Sequence, residues 1–155
     1  MRCPTKVIER FVAWTQAEFV AAVDLFSDQF EPGDPGYGCT REFLWTFKAD
    51  FSLQLFAGSR KEWVNWSAER KTAWISDYGP ERQDQIEEYW IRKPWNSPVI
   101  AVQGTDGRFY VWDGNHRVGV AFTASLRTIP AIVGLRKSYP SQQSSVRHLR
   151  QSSEE

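Results

Sequence analysis

The order of short segments between residues 99 and 135 is the feature of this sequence that most constrains its fold. An apolar run at 99–102 (VIAV) is followed by the turn sequence TDG and by a second run at 108–112 (RFYVW). Two such runs joined by a short Gly-containing turn are typical of a β-hairpin. A helical pattern at 115–125 and an apolar run at 128–135 (TIPAIVGL) come next. This succession predicts an α+β fold, a small mixed sheet flanked by helices.

Two helix starts are recognisable in the first half of the chain. Thr or Ser followed three residues later by Glu has the capping-box spacing, and it occurs at 15–18 and at 59–62. The first box predicts a helix whose apolar stripe reaches Phe30. The second predicts a helix to about Tyr78, where a Gly-Pro pair ends it.

The segments around these helices carry weaker patterns. Residues 7–14 are apolar-rich and partly β-branched, which predicts an opening strand. Residues 31–38 (EPGDPGYG) predict a loop. Alternating apolar residues at 43–56 favour a strand or mixed structure, and 80–92 favours another helix. With the two helices that the capping boxes predict, the Trp-rich N-terminal half is expected to be mainly helical.

One face of the helix predicted from residue 59 onward carries three tryptophans, Trp63, Trp66 and Trp74. At 100° per residue they fall within roughly 80° of one another, so this face is expected to be buried. Arg70 lies in the middle of it. Two interpretations are open: the Arg70 stem packs among the indoles, or its guanidinium holds a phosphate or a carboxylate.

Length and charge limit the classes of function. The chain of 155 residues fits one domain, predicted over 1–136, and the polar segment 137–155 is predicted to be a disordered tail. Because 19 Lys and Arg balance 19 Asp and Glu, no overall field attracts the protein to nucleic acid or to an acidic membrane. Any anion must therefore bind at a local cluster.

Cysteine usage and hydropathy indicate the compartment. Cys3 and Cys39 have no zinc-ligand spacing and cannot form a disulfide framework, so both are expected to be free thiols. The first eleven residues lack a signal-peptide stretch, and no run approaches the ~20 apolar residues of a membrane span. A cytoplasmic protein without membrane insertion is expected.

The residues that carry chemistry converge on the segment from Trp112 to Arg117. A strand that enters a helix through a Gly turn presents backbone N–H groups and the positive end of the helix dipole. Asp113 can act as a general base or hold Mg²⁺. His116 can donate to phosphate or transfer a proton, and Arg117 can grip phosphate with two parallel bonds. Asp113, His116 and Arg117 are the predicted catalytic residues.

A structural interpretation of the same segment stays open, in which Asp113 caps the helix and His116 and Arg117 are ordinary surface groups. Four basic side chains nearby in sequence would extend a phosphate track, although an ordinary surface charge is the commoner role for each: Arg92, Lys93, Arg108 and Arg127. Of these, Lys93 is predicted to contact the cofactor.

Residues 111–133 (VWDGNHRVGVAFTASLRTIPAIV) resemble the ParB/sulfiredoxin superfamily, whose signature is a strand, a short Gly-x-x-Arg-type turn, a helix and a strand bearing Ile-Pro. The resemblance implies that Gly114, Asn115, His116 and Arg117 cradle nucleotide phosphates, with ATP and Mg²⁺ as cofactors. Asn115 stands where sulfinic-acid reductases of this superfamily carry a reactive Cys, so that chemistry is not expected. Kinase-like members of the superfamily carry an Asp at the position of Asp113, so the resemblance is compatible with phosphoryl transfer or hydrolysis.

As a whole, the chain is most similar to the plasmid fertility-inhibition factors, the family that includes oncogenic suppression proteins. The resemblance implies a block on conjugative transfer of DNA such as T-DNA, with ATPase and DNase activity. The implied partners are DNA and a conjugation or type IV secretion component. Two other functions stay open: a non-catalytic inhibitor that docks through an aromatic surface, as the 8 Trp, 10 Phe and 5 Tyr suggest, and a DNA-binding adaptor.

Overall fold

The computed structural model describes residues 5–92 and 97–138, with side chains from 8 to 88 and from 97 to 138. This part of the chain forms five α-helices and four β-strands. In chain order they are α1 (Thr5–Val12), α2 (Gln16–Val23), β1 (Phe43–Ser52), α3 (Arg60–Tyr78), α4 (Gln83–Arg92), β2 (Val99–Gln103), β3 (Phe109–Asp113), α5 (Asn115–Thr123) and β4 (Thr128–Arg136).

The four strands form one mixed sheet in the order β1-β4-β2-β3. β1 is antiparallel to β4, β2 and β3 form the predicted antiparallel hairpin, and β2 runs parallel to β4. The parallel pair requires a crossover, which β3 and α5 supply. The described chain is therefore an α+β domain with a mixed sheet, as the sequence predicts.

Side chains alternate between the two faces of the sheet, and each face is covered. On one face Val99 and Ala101 of β2 belong to a cluster that includes Val118 and Phe122 of α5 and is flanked by Trp63 of α3. On the other, alternate residues of β2 pack in a second cluster that includes residues of α1 and α2. The sheet thus lies between the two N-terminal helices and the α3–α5 pair.

Aromatic side chains fill the second of these clusters. Trp45 and Trp112 are almost fully buried, with ring centroids 5.7 Å apart, and both contact Phe43. The Trp45 indole N–H donates to the carbonyl of Thr40 at 2.8 Å, and that of Trp112 to the carbonyl of Gly36 at 3.0 Å. These two bonds fasten the loop between α2 and β1 to the sheet.

Both predicted capping boxes are present. The hydroxyls of Thr15 and Ser59 accept from the backbone N–H groups of Glu18 and Glu62, whose side chains bond back. α3 ends at Tyr78, and Gly79 follows it. These agreements arise because a capping box satisfies its donors within four consecutive residues.

Two predictions about the N-terminal region are wrong. Residues 7–14 do not form a strand, because most of them belong to α1. Phe11 is buried there, whereas the next residue, Val12, is 71% exposed, and a run this short does not distinguish the two periodicities. α2 does not continue to Phe30: it ends at Val23 and passes into a 3₁₀ turn at Asp24–Phe26. The Asp24 carboxylate there accepts a 3.0 Å bond from Thr40.

Several predictions concern residues that the structure does not describe. Cys3, Lys93 and most of the predicted tail lie outside the described residues. Cys39 carries an exposed, free thiol. Within the described ranges, no helix is both long enough and apolar enough to cross a membrane.

Candidate anion-binding site

The turn between β3 and α5 depends on a glycine. Asp113 ends the strand, and Gly114 occupies the N-cap position of α5 with φ of +102°. A Cβ atom at Gly114 would lie 2.6 Å from Cγ1 of Val99 and 3.1 Å from Nη2 of Arg117. Both the left-handed backbone and the close approach of β2 therefore require a residue without a side chain.

The N-terminus of α5 opens at this turn. Its first backbone bond inside the helix runs from the N–H of Val118 to the carbonyl of Gly114 at 3.0 Å, and no side chain caps the end. The positive end of the helix dipole lies at the same point. The local backbone alone therefore favours a negatively charged group here.

A cavity of about 270 Å³, called here the anion cavity, lies at this helix end. Its walls combine the turn itself with side chains from other parts of the chain. The lining residues are Gln29, Trp66, Arg70, Trp112, Asp113, Gly114, Asn115, His116 and Arg117. All five consecutive residues that the sequence singled out, from Asp113 to Arg117, thus line one cavity, and α3 contributes Arg70 to it.

Close packing of α3 on α5 places Arg70 over the turn. Gly119 of α5 faces α3, and a Cβ there would lie 2.9 Å from Cβ of Ser67 and 3.3 Å from the Trp66 ring. Ser67 is fully buried in this contact. Arg70 follows one turn later, is exposed, and makes no ion pair within the described ranges. Its guanidinium is therefore available to a ligand.

Arg117 is held by the protein itself. Its Nη1 donates to the carbonyl of Ser97 at 2.9 Å, to Oγ of Ser97 at 2.6 Å and to the carbonyl of Pro98 at 3.0 Å. Its Nη2 donates to Oδ2 of Asp113 at 3.0 Å. The Arg117 side chain is 16% exposed and that of Asp113 is 37% exposed. The charge of Arg117 is thus largely balanced by Asp113, whose more accessible carboxylate faces the cavity.

His116 lies between two indoles. Its ring centroid is 5.4 Å from that of Trp66 and 4.7 Å from that of Trp74. Burial, and secondarily the positive charge of Arg70, hold the pKa of His116 below its usual value of 6.5. At neutral pH the imidazole is therefore uncharged, a form that can accept or donate a proton.

The structure does not bring the basic residues of the predicted phosphate track together at the cavity. Arg108 and Arg127 are exposed and do not line the anion cavity, the side chain of Arg92 is not described, and Lys93 lies outside the described residues. Arg70, one of whose two sequence-based interpretations was phosphate binding, is the basic residue that the fold brings to the turn. Trp112, which directly precedes Asp113 in the segment that the sequence identified, also lines the cavity. Gln29 lines it as well, and no sequence pattern identified that residue.

Metal ligands are sparse at this site. Within residues 5–92 and 97–138, no group of three or more His, Cys, Asp or Glu side chains could hold a metal ion. Among the described residues, Asp113 is the one carboxylate that lines the anion cavity, and its Oδ2 already accepts a bond from Arg117. The donor set fits at most a Mg²⁺ ion that a phosphate ligand largely coordinates, with one oxygen from Asp113.

Most of the aromatic side chains that the structure describes are buried or half-buried in the interior. Among the described side chains, the exposed large apolar residues are mainly aliphatic, Val12 and Leu25 above all, and the aromatic ones among them are Tyr37 and Tyr78. The aromatic content is therefore weaker support for a docking surface than it is in the sequence alone.

The chain matches no protein-family model, no curated protein and no solved structure. The resemblance of residues 111–133 to the ParB/sulfiredoxin superfamily therefore stays a prediction.

Proposed function

We propose that the anion cavity binds the phosphate groups of a nucleoside triphosphate. The observation that carries this proposal is that Arg70 and the uncapped N-terminus of α5 line the same cavity. A guanidinium and a helix N-terminus are both strong recognition elements for phosphate. Arg117 stabilises the turn, because its N–H groups donate hydrogen bonds to Ser97, Pro98 and Asp113.

We further propose that the bound nucleotide is hydrolysed. Asp113 has the accessible carboxylate needed to accept a hydrogen bond from an attacking water, and Arg117 fixes its orientation through Oδ2. The uncharged imidazole of His116 lines the same cavity, where it can move a proton. A Mg²⁺ ion carried by the nucleotide would neutralise phosphate charge.

The cellular role that we propose follows the family resemblance. It is inhibition of conjugative DNA transfer in the cytoplasm, by a plasmid-encoded ParB/sulfiredoxin-like protein that hydrolyses ATP and cleaves DNA. Its support is the Gly114 to Arg117 turn and the strand-helix-strand order around it, which agree with the signature of that superfamily. DNA and a component of the conjugation or type IV secretion apparatus are the proposed partners.

Calorimetric titration of the purified protein with ATP tests the binding step. Arg70→Gln should weaken ATP binding about tenfold or more, because it removes the cation of the cavity that has no carboxylate partner in the described chain. Lys71→Gln is the matched control, since it removes the same charge from the next residue of α3, which does not line the cavity. Equal affinities of the two variants would overturn the proposed site.

A conjugation assay tests the cellular role. Cells that express wild-type protein should transfer less plasmid or T-DNA than cells without it, and Arg70→Gln should restore transfer at equal protein level. If Arg70→Gln still inhibits fully, inhibition does not depend on this cavity, and docking on a secretion component becomes the favoured function. If wild-type protein does not inhibit, the proposed role is wrong.

A further inference from the structure

A second cavity, of about 310 Å³, adjoins the anion cavity and is called here the ring cavity. It is lined by Ala57, Gly58, Glu62, Trp63, Trp66 and Asn115. Trp66 and Asn115 line both cavities, so the two are neighbours on either side of these residues. Because Asn115 is exposed, a ligand anchored at the α5 N-terminus could reach the ring cavity along the surface at Asn115.

Two indoles form the walls of the ring cavity at right angles. The centroids of Trp63 and Trp66 are 5.8 Å apart, with 80° between the ring planes. A planar ring that stacks on one of them meets the edge of the other, and both arrangements are favourable for aromatic pairs. The cavity thus has the shape and chemistry for a flat heteroaromatic group.

Trp63 is fixed before any ligand arrives. Its ring stacks on Phe122 with 5.9 Å between centroids and 14° between planes, and its Nε1 donates to the carbonyl of Ala57 at 2.9 Å. Because Trp63 is already held in place, it loses little conformational entropy when a ligand binds.

Charge distinguishes the two cavities. The charged side chain of the ring cavity is Glu62, whose Oε2 is held by a 3.2 Å bond from the backbone N–H of Ser59. The anion cavity instead carries Arg70 and the helix N-terminus. A carboxylate repels phosphate and accepts from N–H groups, which a nucleobase has. The two cavities therefore favour one orientation of a nucleotide.

We propose that the ring cavity binds the base of the nucleotide whose phosphates occupy the anion cavity, with Trp63 and Trp66 as its stacking partners. This proposal rests on the proposed function. The two volumes taken together fall within the roughly 300–1,000 Å³ that is usual for sites of small organic ligands.

A comparison of ATP with inorganic tripolyphosphate tests the proposal. Both are titrated calorimetrically into wild-type protein, Trp63→Leu and Trp14→Leu. Tripolyphosphate offers the phosphates without a base and carries more charge, so charge alone would make it the tighter ligand. Wild-type protein should nevertheless bind ATP roughly tenfold more tightly, which is the order of a base stacked on aromatic side chains.

Trp63→Leu should remove that preference and leave tripolyphosphate binding within about twofold of wild type. Trp14→Leu is the matched control, because Trp14 is a half-buried indole in the cluster on the opposite face of the sheet. It should keep the preference.

The outcomes separate this inference from the proposed function. If tripolyphosphate does not bind to wild-type protein, the phosphate site itself is wrong. If tripolyphosphate binds but ATP binds no more tightly, the phosphate site stands and the base site is overturned. This second comparison needs wild-type protein alone, so it decides the matter even if Trp63→Leu fails to fold.

Discussion

Nη2 of Arg117 donates a 3.0 Å hydrogen bond to Oδ2 of Asp113, four residues earlier, across the Gly114 turn. The sequence assigns these two residues separate tasks, a phosphate clamp and a carboxylate for water or metal. In the structure they are one unit, which Nη1 of Arg117 also ties to Ser97 and Pro98 at the start of β2. Arg117 therefore shapes the turn and orients Asp113. In the proposed function, Arg70 and the N-terminus of α5 attract the anion.

Arg117→Lys should destabilise the fold by about 1–3 kcal/mol. A lysine ammonium cannot reproduce the guanidinium fork, so the carbonyls of Ser97 and of buried Pro98 lose donors while Asp113 loses its fixed partner. Urea unfolding followed by tryptophan fluorescence measures the change. Arg127→Lys is the control, since Arg127 is exposed and should tolerate the exchange within ±0.5 kcal/mol. Equal midpoints for both variants would show that the Arg117 contacts contribute nothing.

Asp113→Asn should abolish ATP hydrolysis while ATP binding stays within a few-fold of wild type. The amide oxygen of Asn can still accept the bond from Arg117, so the turn is kept, but an amide does not act as a base toward water. Release of inorganic phosphate in the presence of Mg²⁺ measures turnover. Glu18→Gln is a suitable control, because it also neutralises one carboxylate, and a Gln still completes the capping box of α2, away from both cavities. Undiminished hydrolysis by Asp113→Asn would remove this residue from the mechanism.

Gly114→Ala should lower the free energy of unfolding by more than Gly33→Ala does. Both glycines have strongly positive φ, +102° and +99°, so both substitutions carry a similar cost in backbone strain, of order 1–3 kcal/mol. A Cβ at Gly33 meets nothing within 4 Å, whereas at Gly114 it would lie 2.6 Å from Val99. The difference between the two variants in chemical denaturation isolates this clash. Equal losses would mean that β2 can move away at no cost.

Local sequence patterns correctly predict those parts of the fold whose hydrogen bonds join residues that are close together in the sequence. The capping boxes at Thr15 and Ser59 and the β2–β3 hairpin are of this kind, because their hydrogen bonds join neighbours in the chain. The end of α2 is not local, because the Asp24 carboxylate in the turn that follows is bound by Thr40, sixteen residues away. A sequence pattern does not show that contact, so the predicted helix is too long.

The same distinction applies to the site. The residues from Asp113 to Arg117 are consecutive, so one motif predicts that they act together, and they do line one cavity. Arg70 is 46 positions before His116, and its approach depends on the α3–α5 contact at Gly119. The anchoring of Arg117 by Ser97 is likewise set by the placement of β2 beside β3. Neither relation follows from spacing along the chain.

The His116 imidazole should make wild-type stability fall more steeply on acidification than that of His116→Gln. Burial between Trp66 and Trp74, and then the charge of Arg70, lower its pKa in the folded protein below 6.5. As the pH falls through about 6.5, the unfolded chain therefore binds a proton that the folded protein does not, and the free energy of unfolding decreases. Urea unfolding at pH 8.0 and 5.5 measures this loss. Carboxylates elsewhere titrate in both proteins, so the difference between them belongs to His116. A loss of equal size in the variant would show that the folded and unfolded states titrate this histidine alike.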